Sequence, residues 1–140
     1  MPQRRRNERD VFVDTSAYFA GGVSADAHHQ SAVHMFRAAS RDGLRLVTTP
    51  YVVAETHALL LNRAGWAPAV RFLRSVEGGS TAIVVPTHED ERRARDIIYT
   101  HTDKSYSLTD ALSFAVMQRL GRTRVFTFDS DFERFGFARA

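Results

Sequence analysis

The chain has 140 residues, the length of one domain and enough to bury a sizeable core. Its 44% hydrophobic and 25% charged residues exclude a disordered or fibrous chain. The absence of cysteine excludes a disulfide framework, a thiol nucleophile and a thiolate zinc site, and fits the cytoplasm. The net charge is +3, and residues 1–9 carry all of it: Arg4, Arg5, Arg6 and Arg9 stand against Glu8 alone. We therefore expect a basic, flexible arm over residues 1–9 and one neutral domain over residues 10–140. Arg4–Arg6 and the stretch Val11–Ala20 imitate a secretory signal, but Asp10 and Asp14 interrupt it. No apolar run reaches the length of a membrane span.

Val11-Phe12-Val13 reads as a buried strand ending in Asp14. A helix is expected over Thr15–Ala20, stopped by Gly21-Gly22, and Asp26 is placed to cap a second one over residues 26–41. Leu44–Thr48 reads as the next strand. Pro50 suits the first turn of a helix whose run from Tyr51 to Asn62 is apolar enough to be buried on most faces, with Gly65 ending it. Ala67–Val76 is a further amphipathic helix and Thr81–Val85 a third strand. His88–Tyr99 is a charged helix with acids first and bases later, as the helix dipole favours, and so a solvated face. Ser107 can cap Leu108–Leu120, which Gly121 ends, and Arg124–Phe128 is the fourth strand. Short apolar strands alternating with helices predict an α/β fold, a three-layer α/β/α sandwich around a mostly parallel sheet.

In such sheets, ligands bind beyond the carboxyl ends of the strands. Asp14 and Asp129 stand at two of those ends, where each could equally be a helix N-cap. Glu55 is flanked on its helix by Tyr51, Val52, Ala58 and Leu59, of which only the Tyr51 hydroxyl could offset a charge; the alternatives are that Glu55 reaches the surface or pairs with an arginine distant in sequence. Asp110 sits in another apolar helix, where it can also complete a capping box with Ser107. Four carboxylates at one end of a sheet repel one another until a cation neutralises them. An oxygen-only cluster suits Mg²⁺, or Mn²⁺ in its place, and the chemistry that follows is attack by water on a phosphodiester.

The segments Val11–Ser16, Val53–Thr56, Ser107–Ala111 and Thr127–Phe132, with Gly136-Phe137, together resemble the PIN-domain nucleases, and within them the VapC-type toxins of toxin–antitoxin pairs. The resemblance covers about residues 10–137. It implies a Mg²⁺-dependent endoribonuclease acting as a toxin, an RNA substrate, a small cognate antitoxin and a homodimer. It assigns catalysis to Asp14, Glu55, Asp110 and Asp129. Asp14, Asp110 and Asp129 would hold the metal, with Glu55 doing so directly or through water. Thr15 and Thr127 match hydroxyl positions near the metal and would support them; Asp131, where the family is variable, is a further candidate for support. Arg4, Arg5 and Arg6 lie outside the shared pattern and are candidate phosphate contacts. A housekeeping nuclease of RNA processing, or a non-catalytic module binding RNA or antitoxin, are the competing readings. Tyr18 and Phe19 are candidates to line a groove for the partner's helix. His28, His29 and His34 lack the spacing of a metal site and are read as packed or solvated.

Overall fold

The structure is a computed structural model that describes residues 9–140, so the expectations for Arg4, Arg5 and Arg6 lie outside the described residues. Its sheet has five strands, β1 (Asp10–Val13), β2 (Arg45–Thr48), β3 (Ala82–Ile83), β4 (Arg124–Phe126) and β5 (Ala138–Arg139), in the order β3-β2-β1-β4-β5. All the pairings are parallel, with Phe12 of β1 opposite both Val47 and Val125. The helices are α1 (Thr15–Gly22), α2 (His29–Arg41), α3 (Pro50–Ala64), α4 (Trp66–Gly78), α5 (His88–Thr100), α6 (Leu108–Leu120) and α7 (Asp131–Phe135). No helix among the described residues is long and apolar enough to cross a membrane.

Alternation along β1 divides the core. Phe12 packs with Ile97 of α5 and Leu112 and Phe114 of α6, whereas Val11 and Val13 pack with Ala17 of α1 and Ala39 of α2. Both faces of the central strand are thus buried under helices, as a parallel sheet requires. Leu60, Ala69 and Phe72 form a third cluster where α3 and α4 meet.

Several boundaries differ from the sequence expectation, each for a tertiary reason. Gly21 and Gly22 do not stop α1 but complete it. A Cβ on Gly21 would come within 3.2 Å of Phe36, and one on Gly22 within 3.3 Å of Leu60, so these glycines serve close helix packing. Asp26 accepts the His28 N–H at 2.8 Å in a turn before α2, which begins only at His29. The third strand shrinks from Thr81–Val85 to Ala82–Ile83, and the fourth ends at Phe126 because pairing stops there. The second helix-rich segment is also less buried than its composition indicates. In α3 only the stripe Val52, Thr56 and Leu60 is buried, and Tyr51 and Leu61 are exposed. Finally, the charged helix α5 is not wholly solvated. Asp90 is buried, caps its own helix with Thr87, and receives Arg119 Nε at 3.0 and 2.9 Å.

Tyr18 is half-buried: it packs against its neighbours and also borders a surface groove. Its ring stacks on Phe36 at 5.6 Å and meets Phe72 edge-on at 5.1 Å, and burial pushes its hydroxyl up to about 12. Phe19 is half-buried, with the Arg63 guanidinium 5.7 Å from its ring centre. Tyr18→Ala should therefore lower stability by about 2 kcal/mol, and Phe19→Ala by less, in urea denaturation. Equal and negligible losses would return both rings to the surface.

Candidate active site

The strand order reverses between β1 and β4, and in such a sheet the crevice for a ligand lies outside the carboxyl ends of the strands at that point. Asp14 directly follows β1, and its backbone N–H donates to Phe126 O at 3.1 Å, which ties the end of β1 to β4. Its carboxylate is buried and caps α1 through the Ser16 N–H. Asp14 Oδ2 also accepts the hydroxyls of Ser16 and Thr127, each at 2.9 Å. Capping and site are therefore one arrangement. Burial raises the Asp14 carboxyl above its ordinary range, against the opposing hydrogen bonds from Ser16 and Thr127.

Thr127 extends this network. Its Oγ1 accepts the Asp129 N–H at 3.0 Å, and Asp129 Oδ1 accepts the Asp131 N–H at 2.9 Å. The turn after β4 is thus held in steps from one hydroxyl. Thr15, also buried, has an Oγ1 with no hydrogen-bond partner among the described residues.

Asp110 arrives from the other side. Ser107 Oγ accepts the Asp110 N–H at 3.0 Å and starts α6 there. Phe114 lies one turn further along the same face, where Phe132 meets it edge-on at 4.9 Å and Phe135 stacks on it at 4.4 Å. This aromatic contact seats α7 against α6. It brings Asp131, the first residue of α7, beside Asp110. One carboxylate oxygen from each of Asp110, Asp129 and Asp131 lies within 4.8 Å of the others. Arg134 approaches Asp131 at 3.6 Å.

The Asp110 carboxyl is pushed up to about 7, first by burial, then by the charges of Asp14 and Asp129, with Glu55 adding to them against the Ser107 hydrogen bond. Glu55 is half-buried on α3, beside the stripe that packs inward rather than on it. The five acids therefore share one crevice, with Asp110, Asp129 and Asp131 closest together. Such a group of oxygen donors can hold a hard cation, and the raised Asp110 carboxyl is the mark of charge that a cation would offset.

Residues 11–138 match the family model of the PIN domain. The chain belongs to the PIN-domain family. It is 34% identical over 127 residues to the 23S rRNA-specific endonuclease VapC20 of Mycobacterium tuberculosis, covering 91% of this chain and 95% of that one. It is 29% identical over 119 residues to the ribonuclease VapC26 of the same organism, covering 85% and 86% of the two chains. The crystal structure of VapC20, described as a sarcin-ricin loop cleaving toxin, superposes with a TM-score of 0.85 at 32% identity, over 91% of this chain and 96% of that one.

Within this PIN domain, two features of the crevice go beyond the residues singled out by sequence. Ser16 carries no charge and draws no notice as a site residue, yet its hydroxyl bonds Asp14 and accepts the Phe128 N–H at 2.9 Å. The only sequence signal was its place in Asp14-Thr15-Ser16, immediately after a buried strand. Asp131, named only as a supporting residue, stands in the closest trio, because α7 turns it inward.

Proposed function

We propose that this PIN-domain protein is a Mg²⁺-dependent endoribonuclease acting as the toxin of a toxin–antitoxin pair, on a structured loop of ribosomal RNA. The observation that carries the reading is the convergence of Asp110, Asp129 and Asp131, with Asp14 and Glu55 around them, at the strand ends of a chain 34% identical to a 23S rRNA-specific endonuclease. Asp14, Asp110 and Asp129 would hold the cation, with Glu55 joining directly or through water. Mn²⁺ has the same preference for oxygen donors. When bound, the cation would supply an activated water and offset charge on the phosphodiester.

The chain's own residues prepare that chemistry. Ser16 and Thr127 lock Asp14 Oδ2 in place, and Thr127 positions the Asp129 backbone. Burial excludes bulk water from Asp14, so its charge acts at close range. Glu55 and Asp131 border the same crevice and can orient water or the leaving oxygen. Thr15 offers a buried hydroxyl with no protein partner among the described residues.

The same resemblance extends the proposal to a homodimer acting in the cytoplasm, held in check by a small antitoxin. A groove of about 460 Å³ lined by Tyr18, Val33, Phe36, Pro68 and Phe72, with Arg37 and Arg71 on it, suits an amphipathic helix bearing acids. A basic side chain from such a partner could also compete with the cation for the carboxylates.

The test is cleavage of ribosomal RNA by the purified protein with Mg²⁺ and with chelator, alongside thermal unfolding in each condition. Defined new RNA ends should appear only with metal. Mg²⁺ should stabilise the folded protein by mass action, by about 2.7 kcal/mol at a hundredfold excess over Kd, and so raise the melting temperature. The rise should weaken as pH falls through about 7, where Asp110 takes up a proton. Cleavage that persists in chelator, or no thermal shift at saturating metal, would overturn the metal-dependent reading.

A further inference from the structure

We propose that His28 and Phe128 form a stacking platform for an unpaired RNA base next to the bond that is cut. The proposal rests on the ribonuclease reading and names how that substrate is held.

The two rings lie nearly parallel, with centroids 4.5 Å apart and an interplanar angle of 7°. Pairing in β4 ends at Phe126, so Phe128 leaves the sheet and stands between Thr127 and Asp129, two residues of the acidic crevice. Its N–H donates to Ser16 Oγ at 2.9 Å, and the same hydroxyl bonds Asp14. The platform is therefore anchored to the crevice through one side chain. His28 is fixed from its own side. Its N–H donates to Asp26 Oδ1 at 2.8 Å, and the neighbouring His29 Nδ1 lies 2.8 Å from Ala20 O.

Phe128 is half-buried and packs toward the β1 core, whereas His28 remains exposed and accessible to a further ring. A cluster of carboxylates repels the RNA backbone wherever a cation does not intervene, so affinity has to come from contacts beside it. Bases splayed out of a loop supply such a contact, because every base has a π-face and stacks on aromatic side chains without regard to sequence. The His–Phe pair presents that surface within one residue of Asp129.

The experiment compares wild type, His28→Ala and His28→Tyr in cleavage of a short RNA loop containing the cut site. It repeats the measurement on the same RNA with single abasic nucleotides on either side of the cut. His28→Ala should raise KM by on the order of tenfold with kcat nearly unchanged, in line with the loss of one stacked base. His28→Tyr should restore binding. One abasic position should cost the wild type a similar factor and cost His28→Ala nothing more. Melting temperatures should fall only slightly in His28→Ala, by the loss of one exposed ring stack, and the abasic comparison separates the proposal from a loop-packing role. Normal KM in His28→Ala, or equal losses in both proteins at every abasic position, overturns the platform while leaving the ribonuclease reading intact. Wild-type protein that cleaves no RNA overturns both.

Discussion

Asp110→Asn should abolish RNA cleavage and, in the absence of metal, make the protein more stable. The loss of activity follows from the charge. A carboxylate that holds the cation contributes several kcal/mol to the transition state, so removing it should cost on the order of a thousandfold in rate. The gain in stability follows from linkage. The Asp110 carboxyl is raised from 3.8 to about 7 in the folded protein by burial and by its acidic neighbours. Between those two values the folded protein keeps a proton that the unfolded chain has released. Stability attributable to Asp110 is therefore full below about pH 4 and falls as pH rises to about 7. Above that, folding holds an unfavourable charge in place, and asparagine removes it. The expected gain is on the order of 2 kcal/mol at about pH 8, after allowance for solvent screening, and close to zero at about pH 4. Urea denaturation of both proteins in metal-free buffer at the two pH values measures this. Glu55→Gln should act in the same direction on both counts. An Asn variant that is less stable at both pH values would show instead that Asp110 is a structural partner.

Asp10→Ala should produce the largest loss of stability, roughly 3–5 kcal/mol. Asp10 is buried at the start of β1, and Arg122 Nη2 lies 2.7 Å from its Oδ2. Arg122 also donates through Nη1 to Leu120 O at 2.6 Å, just past the end of α6. The pair thus fastens the first residue of the central strand to the segment that leads from α6 into β4. Those are the elements that carry Asp14, Asp110 and Asp129. Removing the carboxylate breaks a largely buried ion pair, which costs far more than the pair itself contributes. The urea midpoint should fall with an unchanged slope, and the variant that remains folded should still bind metal. A loss under about 1 kcal/mol would put this pair in the class of solvent-exposed ion pairs.

The sequence by itself determined the elements whose signals are local. Pro50 opens α3 behind the Thr49 cap, Ser107 caps α6, and Gly121 ends it at a φ of 65°, all from side chains within a few residues of the backbone they serve. The buried run Val11–Val13 ending in Asp14 was legible for the same reason, and so were Glu55 and Asp110 as acids in apolar helices and Asp129 as an acid at the end of a strand. The tertiary structure alone decided the rest. Both residues of β5 are exposed, and that strand exists only because Arg124 and Val125 of β4 offer it a parallel partner. Asp131 joins the acidic trio because Phe132 and Phe135 seat α7 on Phe114. Ser16 matters because Thr127 and Phe128, more than a hundred residues away in sequence, come to the same oxygen atoms. Asp10 finds Arg122 and Asp90 finds Arg119 in the same way. Capping and periodicity act within one or two turns of chain and leave a local pattern. Ion pairs, strand pairing and ring contacts join residues whose separation is set only when the layers pack.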